Sequence, residues 1–181
     1  MIVGIDFSLT GTGVCAIKDG EAECVTIGSK KEDQWFRFPD RVIGIVNDAF
    51  EWVHSLGDDD ARATIAIESP AFLAKGSGVD RMFGGWWIVI DQIWAIADPL
   101  LKVTPAQVKK FATGKGNAKK DEVMLAVARR YPDVPITDNN QSDALVLAAI
   151  AAAAVGEPFN GELTKAQREV VEAVSLGGKE S

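Results

Sequence analysis

MIVGIDFSLTGTGVCAIKDGEAECVTIG, residues 1–28, is the stretch that decides the fold. Residues 1–7 are a short apolar run with an acid, Asp6, near its end. Residues 11–18 (GTGVCAIK) and 22–28 (AECVTIG) are strand-like and flank Asp19-Gly20. An Asp-Gly pair between two such runs favours a two-residue hairpin turn, because both central residues need positive φ. That turn pairs Lys18 with Glu21, and the same register sets Cys15 opposite Cys24. The reading is three strands, two of them joined as a hairpin, with Asp6 at the carboxyl end of the first.

From Pro39 the period changes. Val42, Ile43, Val46, Ala49, Phe50 and Val53 fall on one helical face, and Pro39 suits the first helical position. Asp58-Asp59-Asp60 predicts a solvated turn, and TIAIES a buried-type strand ending at Glu68. Residues 71–79, with Gly76 and Gly78, read as a loop, and 80–97 as a helix apolar nearly all round. A short strand, LLKVT, follows; Pro105 opens a helix ending near Thr113, GKGNAKK is a loop, and 120–130 is a helix closed by Tyr131-Pro132. Residues 141–155 form an alanine-rich helix stopped by Gly156 and Pro158, and a last amphipathic helix covers about 163–174. The expectation is one domain over 1–175 and a disordered tail over 176–181. The order implies an α/β fold: a mixed five-stranded sheet, three antiparallel N-terminal strands plus two parallel ones, flanked by helices. That is the ribonuclease-H-like arrangement.

Composition narrows the function. The formal net charge of −7 argues mildly against a nucleic-acid partner. It is offset in two ways: carboxylates that hold metal ions count as negative here, and Lys109, Lys110, Lys115, Lys119 and Lys120 cluster in one stretch. Two cysteines give neither a disulfide framework nor zinc spacing, and both thiols are expected reduced. The lone histidine, His54, sits on a predicted amphipathic helix, which argues against a histidine-based triad or zinc site. The apolar run Phe83–Ala97 is short and broken by Asp91 and Gln92, so no membrane span is expected. The expected location is the cytoplasm.

Three acids stand at element ends. Asp6 ends the first strand, Glu68 ends the fourth, and Asp143 opens the alanine-rich helix. Ligands of open α/β sheets collect at the carboxyl ends of the strands. Two hard divalent cations acting on a phosphodiester need such oxygen donors. Each acid alone has a plainer explanation: Asp143 suits a helix N-terminus with Asn140 as cap, and Asp6 and Glu68 suit surface positions at strand ends. Their joint placement favours a site. Ala144, Ala148, Ala149, Ala151 and Ala152 would let the helix behind Asp143 pack close to the sheet.

With these residues in view, four segments resemble the RuvC family of four-way-junction resolvases: MIVGIDFSLTGTGV, IAIESPAFLAK, VTPAQVKKFATGKGNAKKDEV and NNQSDALVLAAIAAA, in order over residues 1 to about 153. The resemblance implies a homodimeric endonuclease that nicks opposed strands of a Holliday junction, with two magnesium or manganese ions per active site. It implies that Asp6, Glu68 and Asp143 hold the metal, that Lys120 approaches the scissile phosphate, that Phe72 contacts bases near the junction, and that Lys75 belongs with the DNA-contacting residues. The family's fourth acid lies three residues before the last Asp. Here that position is Asn140, and Asp138 is the nearest acid; either can supply the fourth ligand, with Asp138 preferred. An extra residue also separates Glu68 from Phe72. Both departures resemble phage-encoded relatives and leave room for a broader branched-DNA specificity.

Lys109, Lys115, Lys119 and Lys120, with Gly114 and Gly116 beside them, suit a pliable loop that follows a phosphate backbone. In helix 80–97, Trp86, Trp87, Ile90 and Trp94 run along one side and Met82, Val89, Ile93 and Ile96 along another. One side faces the sheet; the other predicts a homodimer interface. Two rival functions remain open here. GIDFSLTGTG also resembles the first phosphate loop of actin-like ATPases and sugar kinases, though no second loop is found. A non-cutting nucleic-acid-binding protein on the same fold is the other.

Overall fold

A computed structural model describes residues 1–31, 34–57, 62–71 and 78–177. The expected Asp58–Asp60 turn and the loop residues 72–77, with Phe72 and Lys75, lie outside the described residues. Six strands form one sheet, β1 (Ile2–Asp6), β2 (Thr12–Lys18), β3 (Glu21–Ile27), β4 (Ala63–Glu68), β5 (Ala97–Val103) and β6 (Ser175–Gly177), in the order β3-β2-β1-β4-β5-β6. The first three are antiparallel, β4 and β5 run parallel to β1, and β6 returns antiparallel on the β5 edge. The five-stranded mixed sheet is as expected; β6, over Ser175–Gly177, adds a sixth strand that the sequence reading did not include. Three residues are too few to carry a period.

The hairpin forms as its turn residues dictate. Asp19 and Gly20 both take positive φ, 51° and 82°, and the register sets Cys15 against Cys24. Both cysteines are free thiols.

Helices cover both faces. α1 (Phe38–Ser55) and α2 (Val79–Ile93) pack on one, over Val3, Ile5, Val14, Ile65 and Ile67. α5 (Asn139–Ala154) crosses the other, contacts β1, β2, β3 and β4, and is backed by α3 (Pro105–Thr113), α4 (Lys120–Arg130) and α6 (Lys165–Ala173). α5 is buried nearly all round, as an all-apolar helix must be. Its small residues permit a backbone-to-backbone approach: a Cβ on Gly4 of β1 would lie 2.1 Å from the Ala144 carbonyl oxygen. On Gly13 of β2 it would lie 2.0 Å from the Asn140 carbonyl oxygen.

Three details differ from the sequence expectation. The run read as helix 80–97 ends at Ile93, and Ala97-Asp98-Pro99 opens β5. Ile45, not Ile43, completes the buried face of α1, which begins at Phe38 with Pro39 second. Trp86 belongs with Val89 and Ile93 on the core side of α2, while Trp87 and Trp94 stay exposed.

Candidate active site

Strand alternation puts the acids together. Gly4 and Asp6 share one face of β1, the face on which α5 lies, and Ala66 and Glu68 share it on β4. Ile5 pairs with Ile67 in the parallel register, so Asp6 and Glu68 end neighbouring strands, about 5 Å apart in the hydrogen-bonding direction. α5 passes over Gly13, the partner of Asp6, at Asn140 and over Gly4 at Ala144. Asp143 lies between those two crossings and is the one half-buried residue in the otherwise buried stretch Gln141 to Ala153.

The electrostatics report the same convergence. Burial, then the Asp143 charge, raises the Asp6 carboxyl to about 7; Asp138 adds to the rise and Lys120 opposes it. Burial, then Asp6 and Asp143, raises Glu68 to about 8, with Lys109 and Lys120 opposing. Burial raises Asp143, again against Lys120 and Lys109. Half-buried carboxylates that repel one another hold their protons. Lys120 and Lys109 are therefore the cations that face the acids. Lys115 and Lys119 are exposed on the adjoining loop, while Lys110 turns away to pair with Glu169 of α6 at 2.8 Å.

Among the described residues no three His, Cys, Asp or Glu side chains already form a metal cage. The donor set nevertheless fits a hard divalent cation: oxygen only, half-buried, and destabilised in its charged form.

Asp138 also has a structural use. It, and not Asn140, caps α5: its Oδ1 accepts from the Gln141 backbone N–H at 2.9 Å. Its Oδ2 accepts from the Thr26 hydroxyl at 2.6 Å. Gln141 in turn accepts from the Thr137 N–H. This chain ties the start of α5 to β3 and so holds Asp143 in place. With the cap at Asp138, Asp143 is the fifth helical residue, past the first turn. Thr26 carries no signal in the sequence, because its partner is more than a hundred residues away.

The loop after Asp6 is folded on itself. Ser8 Oγ donates to the Gly11 carbonyl and accepts the Gly11 N–H, and Thr12 Oγ1 accepts the Ser8 N–H. Two amides that a phosphate loop would present are thus consumed, which removes support from the nucleotide-binding alternative. His54 is exposed near the end of α1, beside Phe50, at the opposite end of the sheet from the acids.

A mixed sheet in this order, with acids ending its first and fourth strands and a third on the helix packed across them, defines a ribonuclease-H-like fold. Thermus thermophilus RuvC matches it with a TM-score of 0.59 at 23% identity, covering 87% of this chain and 98% of that one. The structure titled "T. thermophilus RuvC in complex with Holliday junction substrate" matches at 0.55 and 23%, covering 86% of this chain and 95% of that one. In sequence, "Crossover junction endodeoxyribonuclease RuvC" of Synechococcus sp. (strain CC9605) is 27% identical over 153 residues, 83% of this chain and 96% of the relative. The protein of the same name from Paenarthrobacter aurescens (strain TC1) is 27% identical over 181 residues, 95% of this chain and 94% of the relative. No family model matches the chain. The chain is a distant relative of the RuvC crossover junction endodeoxyribonucleases, aligned with them over nearly its whole length. No helix among the described residues is long and apolar enough to cross a membrane.

Proposed function

We propose that this chain is a metal-dependent endonuclease that nicks branched DNA, four-way junctions foremost. The observation that carries the reading is the convergence of Asp6, Glu68 and Asp143 on one sheet face, with Lys109 and Lys120 turned toward them. These three carboxylates would hold two magnesium or manganese ions, which supply the charge that activates water and stabilises the leaving oxygen in phosphodiester hydrolysis. Lys120 meets the scissile phosphate. Lys109, Lys115 and Lys119 track the backbone beside it, and the RuvC likeness adds Phe72 and Lys75 as DNA contacts. Asp138 supplies the fourth donor ahead of Asn140, directly or through a metal-bound water: each of its oxygens accepts one hydrogen bond and keeps a second lone pair, and its charge acts on Asp6. The active protein is a homodimer through α2, whose Trp87 and Trp94, one heptad apart, are exposed on one side.

The test is incubation of the full chain with a synthetic four-way junction and a matched linear duplex, with magnesium or with chelator, and ATP hydrolysis followed in parallel. Expected are magnesium-dependent paired nicks in the junction and no ATP turnover. Asp6→Asn, Glu68→Gln and Asp143→Asn each abolish nicking while junction binding survives. An intact junction after incubation, or cutting by all three variants, sinks the proposal. Light scattering that shows a stable monomer under cutting conditions removes the dimer from it.

A further inference from the structure

Trp86 is buried on the core side of α2, and a buried indole N–H needs a partner. Its Nε1–H donates to the backbone carbonyl of Glu68 at 2.8 Å. The helix on one face of the sheet thus holds the main chain of a residue whose carboxylate belongs to the other face.

The bond falls where the sheet stops. Glu68 is the last residue of β4, and β1 pairs with β4 no further than Ile5 with Ile67. Toward β5 the ladder still holds, because the Ser69 N–H donates to the Val103 carbonyl at 2.7 Å. The Glu68 carbonyl takes the indole. Beside Trp86, Gly85 lies so close to Phe7 that a Cβ there would stand 3.1 Å from its ring, and Phe7 directly follows Asp6. Consecutive residues of α2 therefore touch the residue after one acid and the backbone of the other. Trp87 packs edge to face on Trp86, with ring centroids 4.9 Å apart, which fixes the plane of the indole and the aim of its N–H.

A carboxylate that shares cations with its neighbours needs its place fixed to within about 0.5 Å. A strand end has no ladder beyond it to do this, and a hydrogen bond from a rigid, buried ring does. Resting on the nuclease reading above, we infer that Trp86 is a positioning residue: its indole N–H holds the end of β4 so that the Glu68 carboxylate meets the same cations as Asp6 and Asp143.

Three variants of the full chain separate the hydrogen bond from the packing. Trp86→Phe keeps a six-membered aromatic ring in the core and loses the donor. Trp86→His loses the fused ring but keeps a five-membered one, whose Nε2–H takes the position of the indole N–H; at about pH 8 the imidazole is neutral. Val89→Ala thins the same buried face of α2 and leaves the bond alone. Manganese affinity is read by calorimetry on the DNA-free protein, the single-turnover nicking rate on a four-way junction in saturating magnesium, junction affinity in chelator, and Tm by thermal unfolding. Trp86→Phe loses about 10-fold in manganese affinity and in nicking rate, with junction affinity unchanged. Trp86→His, though lower in Tm than Trp86→Phe, keeps most of both, and Val89→Ala lowers Tm and changes neither. A parent that neither binds manganese nor nicks the junction overturns the nuclease reading on which the role rests. A parent that does both, with Trp86→Phe equal to it, overturns the role alone. So does a greater loss in Trp86→His than in Trp86→Phe, the order that packing dictates. If Trp86→Phe does not fold, Trp86→His decides: manganese affinity like the parent's upholds the role, and its loss overturns it.

Discussion

Replacing Gly4 by alanine puts a methyl group where α5 meets the sheet. Its Cβ would stand 2.1 Å from the Ala144 carbonyl oxygen, 2.4 Å from the Ala148 nitrogen and 3.0 Å from the Leu147 Cβ. Two of these atoms are helix backbone and cannot rotate aside. An ordinary carbon–oxygen contact is about 3.4 Å, so the helix must retreat by roughly 1 Å or the strand must bow. Core overpacking costs about 1–3 kcal/mol, and a displacement carried by a whole helix belongs at the upper end. Removing a strand glycine returns roughly 0.5–1 kcal/mol. The net loss is about 2 kcal/mol, which at a urea dependence of about 2 kcal/mol per molar moves the unfolding midpoint down by roughly 1 M. Gly44→Ala is the control: Gly44 lies inside α1 with nothing within 4 Å of the added Cβ, and helix propensity predicts a gain of up to about 1 kcal/mol. Equilibrium urea unfolding of both variants decides the matter. A Gly4→Ala midpoint equal to the parent's refutes the close seat of α5 on β1.

The raised carboxyls give a pH dependence of definite sign. Asp6 at about 7 and Glu68 at about 8 bind protons more tightly folded than unfolded, so their stabilisation is full below pH 4 and is lost as pH rises through 7 to 8. In chelator the urea midpoint should fall from pH 5.5 to 8.5, by up to about 1.4 kcal/mol per pH unit for each group. Glu68→Gln should flatten that fall and magnesium should offset it; a parent profile that rises over this range contradicts the assignment. Lys119→Ala/Lys120→Ala should weaken junction binding or cutting with Tm nearly unchanged, because both side chains are exposed. A large stability loss with intact cutting would make them structural instead. Asp138→Asn and Thr26→Val should each lower Tm and raise the magnesium needed for half-maximal cutting, while Thr26→Ser restores both. Normal Tm in Asp138→Asn would deny it the role of clamp.

What could be read from sequence was whatever local chemistry decides. Asp19-Gly20 forces one turn, the turn forces the register, and Cys15 meets Cys24 with no help from the rest of the chain. The three acids were legible because they end elements whose order implies a common edge. Local pattern failed where long-range partners choose. Asp138, Asn139 and Asn140 all make good caps, and the Thr26 hydroxyl on a remote strand selects the first of them. Ala97-Asp98-Pro99 follows an apolar helix without a change of composition and becomes strand by pairing with β4. Trp86, Trp87 and Trp94 are alike in sequence, and only packing beneath α2 separates the buried one from the exposed two.

A ribosome delivers β1, β2 and β3 long before the helix that covers them. The strands are complete at Ile27, and α5 ends at Ala154. At bacterial rates of synthesis the interval is on the order of ten seconds. Through that time the face bearing Gly4, Gly13, Cys15 and Ile17 has no lid, because its cover comes from α5. Hairpin contacts are local and form at once, but burial of this face waits for contacts across most of the chain. The nascent N-terminal sheet is therefore a sticky intermediate, and a product truncated before Ala154 should aggregate even though it contains both strand-borne acids.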